Sequence, residues 1–434
     1  MDCGMMTYDE ALAYIHSVNW RGSRPGLSRI TALLDQLGHP ERALRCIHIA
    51  GTNGKGSTSA MLSTILREAG YSVGTFTSPF IESFNERIMK DDKPIGNDDL
   101  CRLLSLVAPI AEAMDDPPTE FELITALGFL YFKETGCDIV VLEVGMGGRL
   151  DSTNVIEKPC LSVITGVALD HMAVLGDTVE LIAKEKAGII KEGCPVLYGG
   201  DDPVVQEILE REALQKNAPF FVTDRSTLSV RRSDLYGSVF DFGGYRALSL
   251  SLAGLYQTRN AATVLTAVSL LRREGLSIPD AALRSGLEKT VWRARFEVIS
   301  KEPLVIFDGS HNMEGIMAAR ESIAAFFGNT RVLLLTGVMA DKAYEEMAEI
   351  LVPHIREVFT VTPDNPRALD SSALAEVCRK AGVGANAFDT VRAGVRAALI
   401  RAHEEKTPLV ALGSLYMYGE VKSEVKALVK ELFS

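Results

Sequence analysis

One glycine-rich turn, between an apolar run and a helical pattern, constrains this chain more than any other feature. Residues 46–50, CIHIA, are mainly apolar, and the turn GTNGKGS over 51–57 leads into a helical pattern over 57–70. In a strand–turn–helix unit, backbone N–H groups and a helix N-terminus converge on the turn and bind phosphate, and a lysine adds a point charge. The general pattern GxxxxGK[ST] is two residues longer, so this turn is a variant of it. The sequence predicts a phosphate loop that contains Lys55; the alternative is an ordinary turn with a solvated lysine.

Short apolar runs alternate with helical patterns along most of the chain, which predicts βα units and a mainly parallel sheet. Residues 229–252 break this alternation with short alternating strands and glycine-containing turns, so we expect a small antiparallel sheet there. Helical patterns resume over 257–274 and 280–288, and a second βα series then begins. A domain boundary near 297–303 divides the chain into 1–297 and 298–434. The predicted strands are 46–50, 72–77, 138–144, 160–167, 195–198, 304–308, 331–338, 357–361 and 409–412.

The composition excludes some classes of partner. Acidic residues number 57 and basic residues 45, a net charge of −12, which disfavours nucleic acid or an anionic membrane as the main partner. The seven cysteines are scattered without a CxxC pair, which is typical of a reduced, cytoplasmic protein. The longest nearly continuous apolar run, residues 123–132, is too short to span a bilayer. We therefore expect small-molecule substrates, no nucleic acid partner and no membrane segment.

The turn belongs to an ordered set of motifs that runs through nearly the whole chain. In chain order these are GTNGKGS (51–57), TSPFIESFNERI (77–88), TEFELITALGFLYF (119–132), LEVGMGGRLDSTN (142–154), ALDHMAVLG (168–176), EKAGII (185–190), LYQTRNA (255–261), ARFE (294–297), DGSHN (308–312), TGVMADK (336–342) and GSLY (413–416). The set resembles the folate branch of the Mur ligase superfamily, which contains folylpolyglutamate synthase and the bifunctional dihydrofolate synthase. The resemblance implies an α/β fold: a phosphate-loop NTPase-like, mainly parallel sheet domain and a smaller C-terminal Rossmann-like domain.

The resemblance also implies an activity. Members of this family are ATP- and Mg²⁺-dependent acid–amino-acid ligases, in which ATP phosphorylates a carboxylate and the amine of an amino acid attacks the acyl phosphate. We therefore expect addition of L-glutamate to tetrahydrofolate, with dihydropteroate left open as a second acceptor, by a protein that the resemblance favours as a monomer. Both steps gather negative charge, so the site needs cations and hydrogen-bond donors around the γ-phosphate.

Nucleotide and metal residues are carried over by matching motifs. The resemblance gives Lys55, Lys186 and His311 catalytic roles. It places two magnesium ions near Ser78, Glu143, His171 and Lys186, the last as a carbamate. It assigns ATP contacts to Gly51, Thr52, Asn53, Gly54, Lys55, Gly56, Ser57, Thr58, Asn260, Arg295, Asp308 and His311.

The residues themselves support these assignments unequally. Glu143 and His171 follow strand-like runs, and ligands of open α/β sheets lie at the carboxyl ends of strands. Mg²⁺ prefers oxygen ligands, so chemistry alone leaves His171 equally open to a structural role. Lys186 shares a helical stripe with apolar residues of 182–190, whereas Lys184 and Lys191 lie off it. Burial favours a neutral amine, which reacts with carbon dioxide to give a carbamate; the alternative is a snorkelling ammonium group.

The acceptor side rests on two further motifs. Matching positions in the family lie beside the pterin, where an aromatic ring stacks and a carboxylate pairs with a ring amino group; Phe121 is equally open to a core role. These positions are Thr119, Phe121, Glu122, Arg149 and Asp151. Two other functions stay open: a Mur-type ligase acting on another carboxylate, and a phosphate-loop nucleotide-binding regulator, although no Asn-Lys-x-Asp motif is present. The motifs leave open the folate form, the length and linkage of the glutamate chain, and carbamylation itself.

Overall fold

A computed structural model describes residues 6–18 and 24–433 of the chain. The strands are β1 (Cys46–Ala50), β2 (Val73–Phe76), β3 (Ile88–Lys90), β4 (Lys93–Pro94), β5 (Ile139–Glu143), β6 (Leu161–Ile164), β7 (Val196–Tyr198), β8 (Phe220–Val222), β9 (Ser229–Asp234), β10 (Gly237–Phe242), β11 (Tyr245–Leu250), β12 (Glu297–Lys301), β13 (Leu304–Asp308), β14 (Val332–Thr336), β15 (Ile355–Val361), β16 (Ala385–Phe388) and β17 (Leu409–Leu412). The helices are α1 (Tyr8–Ser17), α2 (Ser28–Gln36), α3 (Lys55–Glu68), α4 (Asn97–Glu112), α5 (Glu120–Glu134), α6 (Met172–Leu175), α7 (Val179–Ala187), α8 (Pro203–Gln215), α9 (Tyr256–Arg273), α10 (Asp280–Lys289), α11 (Met313–Phe327), α12 (Tyr344–Leu351), α13 (Ser371–Lys380), α14 (Val391–Glu405) and α15 (Tyr418–Phe433).

The first sheet has eight strands in the order β4-β3-β2-β5-β1-β6-β7-β8. Strands β2, β5, β1, β6, β7 and β8 run parallel to one another, and β3 and β4 form an antiparallel edge beside β2. The chain forms the central strand β1 first, then strands β2 to β5 on one side of it and strands β6 to β8 on the other. The strand order therefore reverses at β1, and such a switch point opens a crevice at the carboxyl ends of the strands. The phosphate loop leaves β1 at this crevice.

The central strands of this sheet are mainly apolar because they are buried on both faces. All five residues of β1 and all five of β5 are buried, as expected for parallel strands covered on both faces. Helix α3 is buried along 57–66, because the sheet covers one side and α10 packs on the other. The helix begins at Lys55, two residues earlier than the sequence predicts, so the lysine forms its first turn.

The second sheet has six strands in the order β12-β13-β17-β14-β15-β16. All neighbours are parallel except β12, which pairs antiparallel with β13. The predicted boundary at 297–303 thus falls on an edge strand and its turn and not on a linker. Sequence reasoning missed β12 because four of its five residues are only half-buried and do not form an apolar run.

The contacts divide the chain into two units that differ from the predicted domains. The first unit comprises Met1–Ser226 and Asn260–Lys289, and the second comprises Thr227–Arg259 and Thr290–Ser434. The predicted antiparallel sheet is present as β9, β10 and β11, but its contacts place it in the second unit. The reason is packing: Ala253, which follows this sheet, is buried in one core with Phe296 and Ile306.

Each unit has its own apolar core. In the first unit, one core lies among α1, α2, α4 and α5, and another lies between β6, β7 and the helices α7 and α8. In the second unit, the core joins β13 and β14 to helices α11, α12 and α13. Among the described residues, no helix combines the length and apolar character needed to cross a membrane.

Candidate functional site

The phosphate loop has the backbone geometry that its glycines predict. Gly54 caps α3 with a left-handed φ of 84°, a conformation that glycine adopts without steric cost. A Cβ at this position would lie 2.7 Å from the side-chain oxygen of Asn260, so the asparagine also approaches the loop closely. Loop and helix N-terminus together therefore form a suitable anion site. The structure brings Asn260, 206 residues further along the sequence, to this loop.

Residues after β6 hold the loop in place, and sequence reasoning missed them. The Thr165 hydroxyl donates to the Asn53 carbonyl at 2.6 Å, and the Thr52 amide donates to the Gly166 carbonyl at 2.8 Å. The Thr52 hydroxyl donates to the Ala168 carbonyl at 3.1 Å and accepts from the Ala168 amide at 3.0 Å. The segment 165–168 is thus a rigid support for the phosphate loop. Its only sequence signal is a threonine–glycine pair at the end of a strand.

Two lysines meet at one backbone oxygen of the loop. Lys186 is 4% exposed, and its Nζ donates to the Gly51 carbonyl at 2.8 Å. Lys55 Nζ donates to the same carbonyl at 3.1 Å and to the Thr52 carbonyl at 3.3 Å. The predicted burial of Lys186 on the apolar stripe of α7 is therefore present. The two lysine side chains therefore converge on the first residue of the phosphate loop.

A small cavity of about 20 Å³ lies at these lysines. It is lined by Gly51, Thr52, Lys55, Val144, Gly145, Met146, Gly147, Asp170, His171, Leu175 and Lys186. His171 is the N-cap residue that directly precedes helix α6, and its backbone is left-handed with a φ of 51°. Glu143 is the last residue of β5, is 4% exposed, and directly precedes the lining residues 144–147. Chain position therefore brings three of the four predicted metal residues to this region.

A larger cavity of about 580 Å³ adjoins the small one, because both are lined by Gly145, Met146, Gly147 and Leu175. Ser78, the fourth predicted metal residue, lines the larger cavity. All five residues predicted for the acceptor side also line it: Thr119, Phe121, Glu122, Arg149 and Asp151. The structure thus joins three separate motifs at one cavity beside the phosphate loop.

Phe121 contributes to both the core and the cavity. Its ring packs at 5.9 Å from the Phe76 ring in an edge-to-face arrangement. A Cβ at Gly145 would lie 2.5 Å from Phe121 Cζ, so only glycine allows this ring position. The wall between the two cavities and the aromatic ring are therefore fitted to each other.

Glu122 and Thr119 have a clear role in the fold. Glu122 Oε2 accepts from the Thr119 amide at 2.7 Å and from its hydroxyl at 2.9 Å, while the Thr119 hydroxyl accepts from the Glu122 amide. This capping box begins α5. The same oxygen accepts from Arg29 Nε at 3.0 Å, and both side chains are buried. A pterin contact by Glu122 stays a prediction.

Asp151 and Arg149 organise the turn that follows β5. Asp151 Oδ2 accepts from the Met146 amide at 2.9 Å, and Oδ1 accepts from the amide and hydroxyl of Thr153 at 3.0 and 2.6 Å. Burial raises the pKa of Asp151, and these hydrogen bonds lower it in part. Arg149 forms an ion pair with Glu185, which also lines the larger cavity.

Arg87 lines the larger cavity and was not among the predicted site residues. Its Nη1 donates to the Ser78 hydroxyl at 3.2 Å. Its guanidinium group lies 5.2 Å from the ring centre of Phe80 and 5.7 Å from that of Phe84. The signal that could have found it is its place in the motif TSPFIESFNERI, which also contains Ser78.

In the second unit, the predicted residues Arg295, Asp308 and His311 surround the end of β13. Asp308 is 1% exposed; its Oδ2 accepts from the Tyr256 hydroxyl at 2.7 Å and from the Phe296 amide at 2.8 Å. Its Oδ1 accepts from the amide and hydroxyl of Ser310. The carboxylate thus ties the segment 294–296 to the loop after β13.

Arg295 and His311 are held by the same loop. A Cβ at Gly309 would clash with Arg295 Nη1, so the guanidinium group lies directly on this glycine. The Nδ1–H of His311 donates to the Gly309 carbonyl at 2.8 Å. Asn312 caps α11, and its side chain accepts from the Gly315 amide. The ATP contacts of Asp308, Arg295 and His311 stay predictions.

Among the described residues, no group of three or more histidine, cysteine or acidic side chains could hold a metal ion. At nucleotide sites, Mg²⁺ is bound by one or two protein oxygens together with phosphates and water. The buried carboxylate of Glu143 and the hydroxyl of Ser78 are ligands of this kind. The donor set therefore fits a nucleotide-bound magnesium ion.

Comparison with known proteins matches two family models to successive parts of the chain. Residues 49–268 match the model of the Mur ligase middle domain, and residues 294–414 match that of the Mur ligase glutamate ligase domain. A dihydrofolate synthase/folylpolyglutamate synthase of Bacillus subtilis is 38% identical, over 96% of this chain and 99% of its own. A folylpolyglutamate synthase of Lacticaseibacillus casei is 37% identical, over 96% of this chain and 98% of its own. A solved folylpolyglutamate synthase of Mycobacterium tuberculosis, complexed with ADP and AMPPCP, is 30% identical, with a TM-score of 0.88 over 96% of this chain and 98% of its own.

Proposed function

We propose that this chain, which belongs to the Mur ligase family in its branch of folylpolyglutamate and dihydrofolate synthases, adds L-glutamate to a reduced folate. It is an ATP-dependent acid–amino-acid ligase. The resemblance inferred from the motifs is confirmed, and so is the mixed α/β fold with a mainly parallel first sheet and a separate C-terminal sheet. ATP is the co-substrate, and the other substrates are small molecules.

One observation carries the proposal: the small cavity at the phosphate loop and the larger cavity, which would hold the carboxylate acceptor, share a wall at 145–147. Ligation through an acyl phosphate requires the γ-phosphate to meet the acceptor carboxylate. A reacting pair held in the right geometry reacts far faster than a free pair. A nucleotide-binding regulator has no need of a 580 Å³ cavity beside the phosphate loop.

Within this proposal, the chain's own residues have distinct tasks. The loop amides and Lys55 bind the phosphates, and Phe121 stacks on the pterin ring. Asp151 accepts a hydrogen bond from the ring, while Arg87 and Arg149 add positive charge to a cavity for an anionic substrate. Asn260, Arg295, Asp308 and His311 serve the nucleotide. The chain is proposed to act as a cytoplasmic monomer, on the basis of the resemblance and its scattered cysteines.

Magnesium at two sites belongs to the proposal. Glu143, Ser78 and His171 would hold it, with Lys186 as a carbamate that supports the second ion. A bound magnesium ion neutralises charge on the phosphates during transfer. Two ammonium groups at the Gly51 carbonyl repel each other, and a carbamate at Lys186 replaces that repulsion with attraction to Lys55.

The carbamate can be detected directly. Protein equilibrated with ¹³C-bicarbonate should give one carbamate signal in the ¹³C NMR spectrum. The signal should vanish in Lys186→Arg and remain in Lys184→Arg, a matched change at an exposed position of the same helix. A spectrum without the signal, or with the signal still present in Lys186→Arg, would contradict carbamylation of Lys186.

The function is tested by ATP-dependent phosphate release with purified protein, Mg²⁺ and L-glutamate. Dihydropteroate, tetrahydrofolate and methylene-tetrahydrofolate serve as acceptors, and mass spectrometry identifies the products. Glutamate added to the folates alone makes the chain a folylpolyglutamate synthase, and addition to dihydropteroate as well makes it bifunctional. Failure with every acceptor would overturn the folate assignment and favour a ligase for another carboxylate.

A further inference from the structure

A buried hydrogen-bonded chain connects β1 to the larger cavity. His48 lies on β1, three residues before Gly51, and is fully buried. Its Nε2 lies 2.9 Å from the Thr153 hydroxyl, which in turn lies 2.6 Å from Asp151 Oδ1. Asp151 lines the cavity. We refer to these three side chains as the His48 relay.

The direction of each hydrogen bond follows from the donors available. The Thr153 hydroxyl donates its single proton to Asp151 Oδ1. The Thr153 oxygen therefore accepts from His48, which fixes the proton of the neutral imidazole on Nε2. Burial lowers the pKa of His48 to about 3, so the ring is neutral at physiological pH. The relay thus runs in one direction, from His48 to the carboxylate.

Packing alone does not account for His48. Its Nδ1 is buried without a hydrogen-bond partner. A buried polar atom without a partner costs about 1–3 kcal/mol, which an apolar residue of this size would avoid. The neighbouring residues Ile47 and Ile49 on the same strand are fully buried and apolar. The cost is offset only if the Nε2–H has a use, and that use is the bond to Thr153.

The relay controls one oxygen of Asp151. Thr153 contributes both an amide and a hydroxyl to Oδ1, and the Met146 amide occupies Oδ2. These bonds fix the plane of the carboxylate and leave one acceptor position, on Oδ2, for a further donor. Met146 belongs to the wall shared by the two cavities, so the position of Asp151 and the position of that wall are linked.

We propose that His48 and Thr153 are positioning residues, which hold the Asp151 carboxylate as an oriented hydrogen-bond acceptor for the ring amino group of the acceptor substrate. The inference rests on the proposed function, because it requires a heterocyclic acceptor in the larger cavity. It adds two residues, neither of which touches a substrate, to the determinants of acceptor specificity. His48 and Thr153 act only through Asp151.

Two variants of Thr153 test the proposal. Thr153→Val has the same shape but no hydroxyl, whereas Thr153→Ser retains the hydroxyl. The affinity for dihydropteroate and for tetrahydrofolate is measured by titration without ATP, and the KM for ATP is measured separately. We expect Thr153→Val to weaken acceptor binding about tenfold, Thr153→Ser to restore most of it, and the KM for ATP to stay within about twofold of its original value, from the value of one charge-assisted hydrogen bond.

A ligand variant separates positioning from general structural damage. A pterin analogue without the 2-amino group lacks the donor that Asp151 would accept. If the relay acts through this contact, Thr153→Val should bind the analogue as well as the unsubstituted protein does. Equal losses for the pterin and its analogue would overturn the proposal, as would equal affinities of Thr153→Val and Thr153→Ser.

His48 supplies an independent pair of variants if Thr153→Val fails to fold. His48→Gln retains an N–H donor at a similar reach, and His48→Leu removes it. We expect His48→Leu to reproduce the loss in pterin affinity and His48→Gln to recover it. Equal binding by both would overturn the proposal. Failure of the unsubstituted protein to bind any pterin would overturn the proposed function instead, so the two failures are distinguishable.

Discussion

Lys55 and Lys186 end on the same carbonyl, yet they come from different elements 131 residues apart. Lys55 forms the first turn of α3, where its reach to the loop is set by local geometry. Lys186 reaches the loop only because α7 packs against the first sheet and directs the lysine inwards. The motifs GTNGKGS and EKAGII predicted these two lysines as site residues, whereas their convergence on Gly51 is a property of the folded chain.

The proposed phosphate contact of Lys55 gives the first prediction. Lys55→Ala should lower kcat by about 10² or more, because it removes a charge that stabilises the transferring phosphoryl group. Steady-state phosphate release in the presence of each acceptor measures the effect. Lys184→Ala, which removes an exposed lysine, is the matched control and should leave turnover unchanged. Near-normal turnover of Lys55→Ala would show that the phosphate-loop assignment is wrong.

At the scale of elements, the wall at 145–147 and the start of helix α5 both line the larger cavity, which we propose holds the acceptor. The wall has a residue without a side chain, Gly145, where the Phe121 ring approaches. The ring meets Gly145 only if α5 begins at the observed residue, because Phe121 lies in the first turn of that helix. The capping box of Thr119 and Glu122 determines that start, and Arg29 of α2 holds Glu122 from the other side. The cavity is thus fixed by helix capping and one buried ion pair.

The close approach of Phe121 predicts a selective effect of Gly145→Ala. The added Cβ would lie 2.5 Å from the ring, so the ring must move into or away from the cavity. We expect the KM for the folate acceptor to rise about tenfold, while the KM for ATP changes little, by comparison with small misplacements of binding groups. Gly244→Ala, where a Cβ meets open space, is the control. An unchanged acceptor KM would remove Phe121 from the binding site.

The buried pair of Arg29 and Glu122 predicts a large loss of stability. Glu122→Ala leaves the buried guanidinium group with only the half-exposed Asp116, 3.5 Å from Arg29 Nη1, as an ionic partner, so we expect a loss of up to about 3–5 kcal/mol in unfolding free energy. Urea unfolding measures the change. Arg211→Ala breaks an exposed ion pair with Glu207 on α8 and should cost less than about 1 kcal/mol. Similar small losses for both variants would indicate that the buried pair adds little to the stability of α5.

At the scale of the whole molecule, the first unit contains the eight-stranded sheet and the second contains the six-stranded sheet and the small antiparallel sheet, but neither unit is one continuous stretch of the sequence. The segment Thr227–Arg259 belongs to the second unit, and the chain then returns to the first unit over Asn260–Lys289. This return matters because α10 covers α3. The helix that begins at the phosphate loop is thus buried by a segment some 220 residues later in the sequence.

Burial of His48 makes global stability depend on pH. Burial and the charge of Lys191 lower the pKa of His48 from 6.5 to about 3. Between these values the unfolded chain binds the extra proton, so the unfolding free energy rises with pH. The contribution is fully present above pH 6.5 and is lost as the pH falls towards 3.

Replacing His48 with glutamine removes this dependence. Between pH 6 and pH 4, the original protein should lose about 2 kcal/mol more unfolding free energy than His48→Gln, from about 1.4 kcal/mol per proton and pH unit. Urea unfolding at several pH values measures the slope. Parallel curves for the two proteins would mean that the folded state protonates His48 as readily as the unfolded chain does.

The sequence alone determined the features that depend on neighbouring residues. The strand, glycine turn and helix of the phosphate loop follow from local backbone preferences, and β1 and β13 have the predicted bounds. The ordered motifs identified the family, because they report chemistry that the same residue types perform in the same order. The stripe of 182–190 also placed Lys186 in an apolar setting correctly.

Only the tertiary structure decided which distant residues act together. Thr165 supports the phosphate loop, Arg87 lines the larger cavity, and His48 is connected to Asp151 through Thr153. None of these three residues has a strong local signal in the sequence. The predicted strands also did not include β12, since that strand is formed by pairing with β13 and not by an apolar pattern of its own. Local sequence fixes backbone preferences within a few residues, whereas burial and hydrogen bonding between distant segments exist only once the sheets and helices have packed.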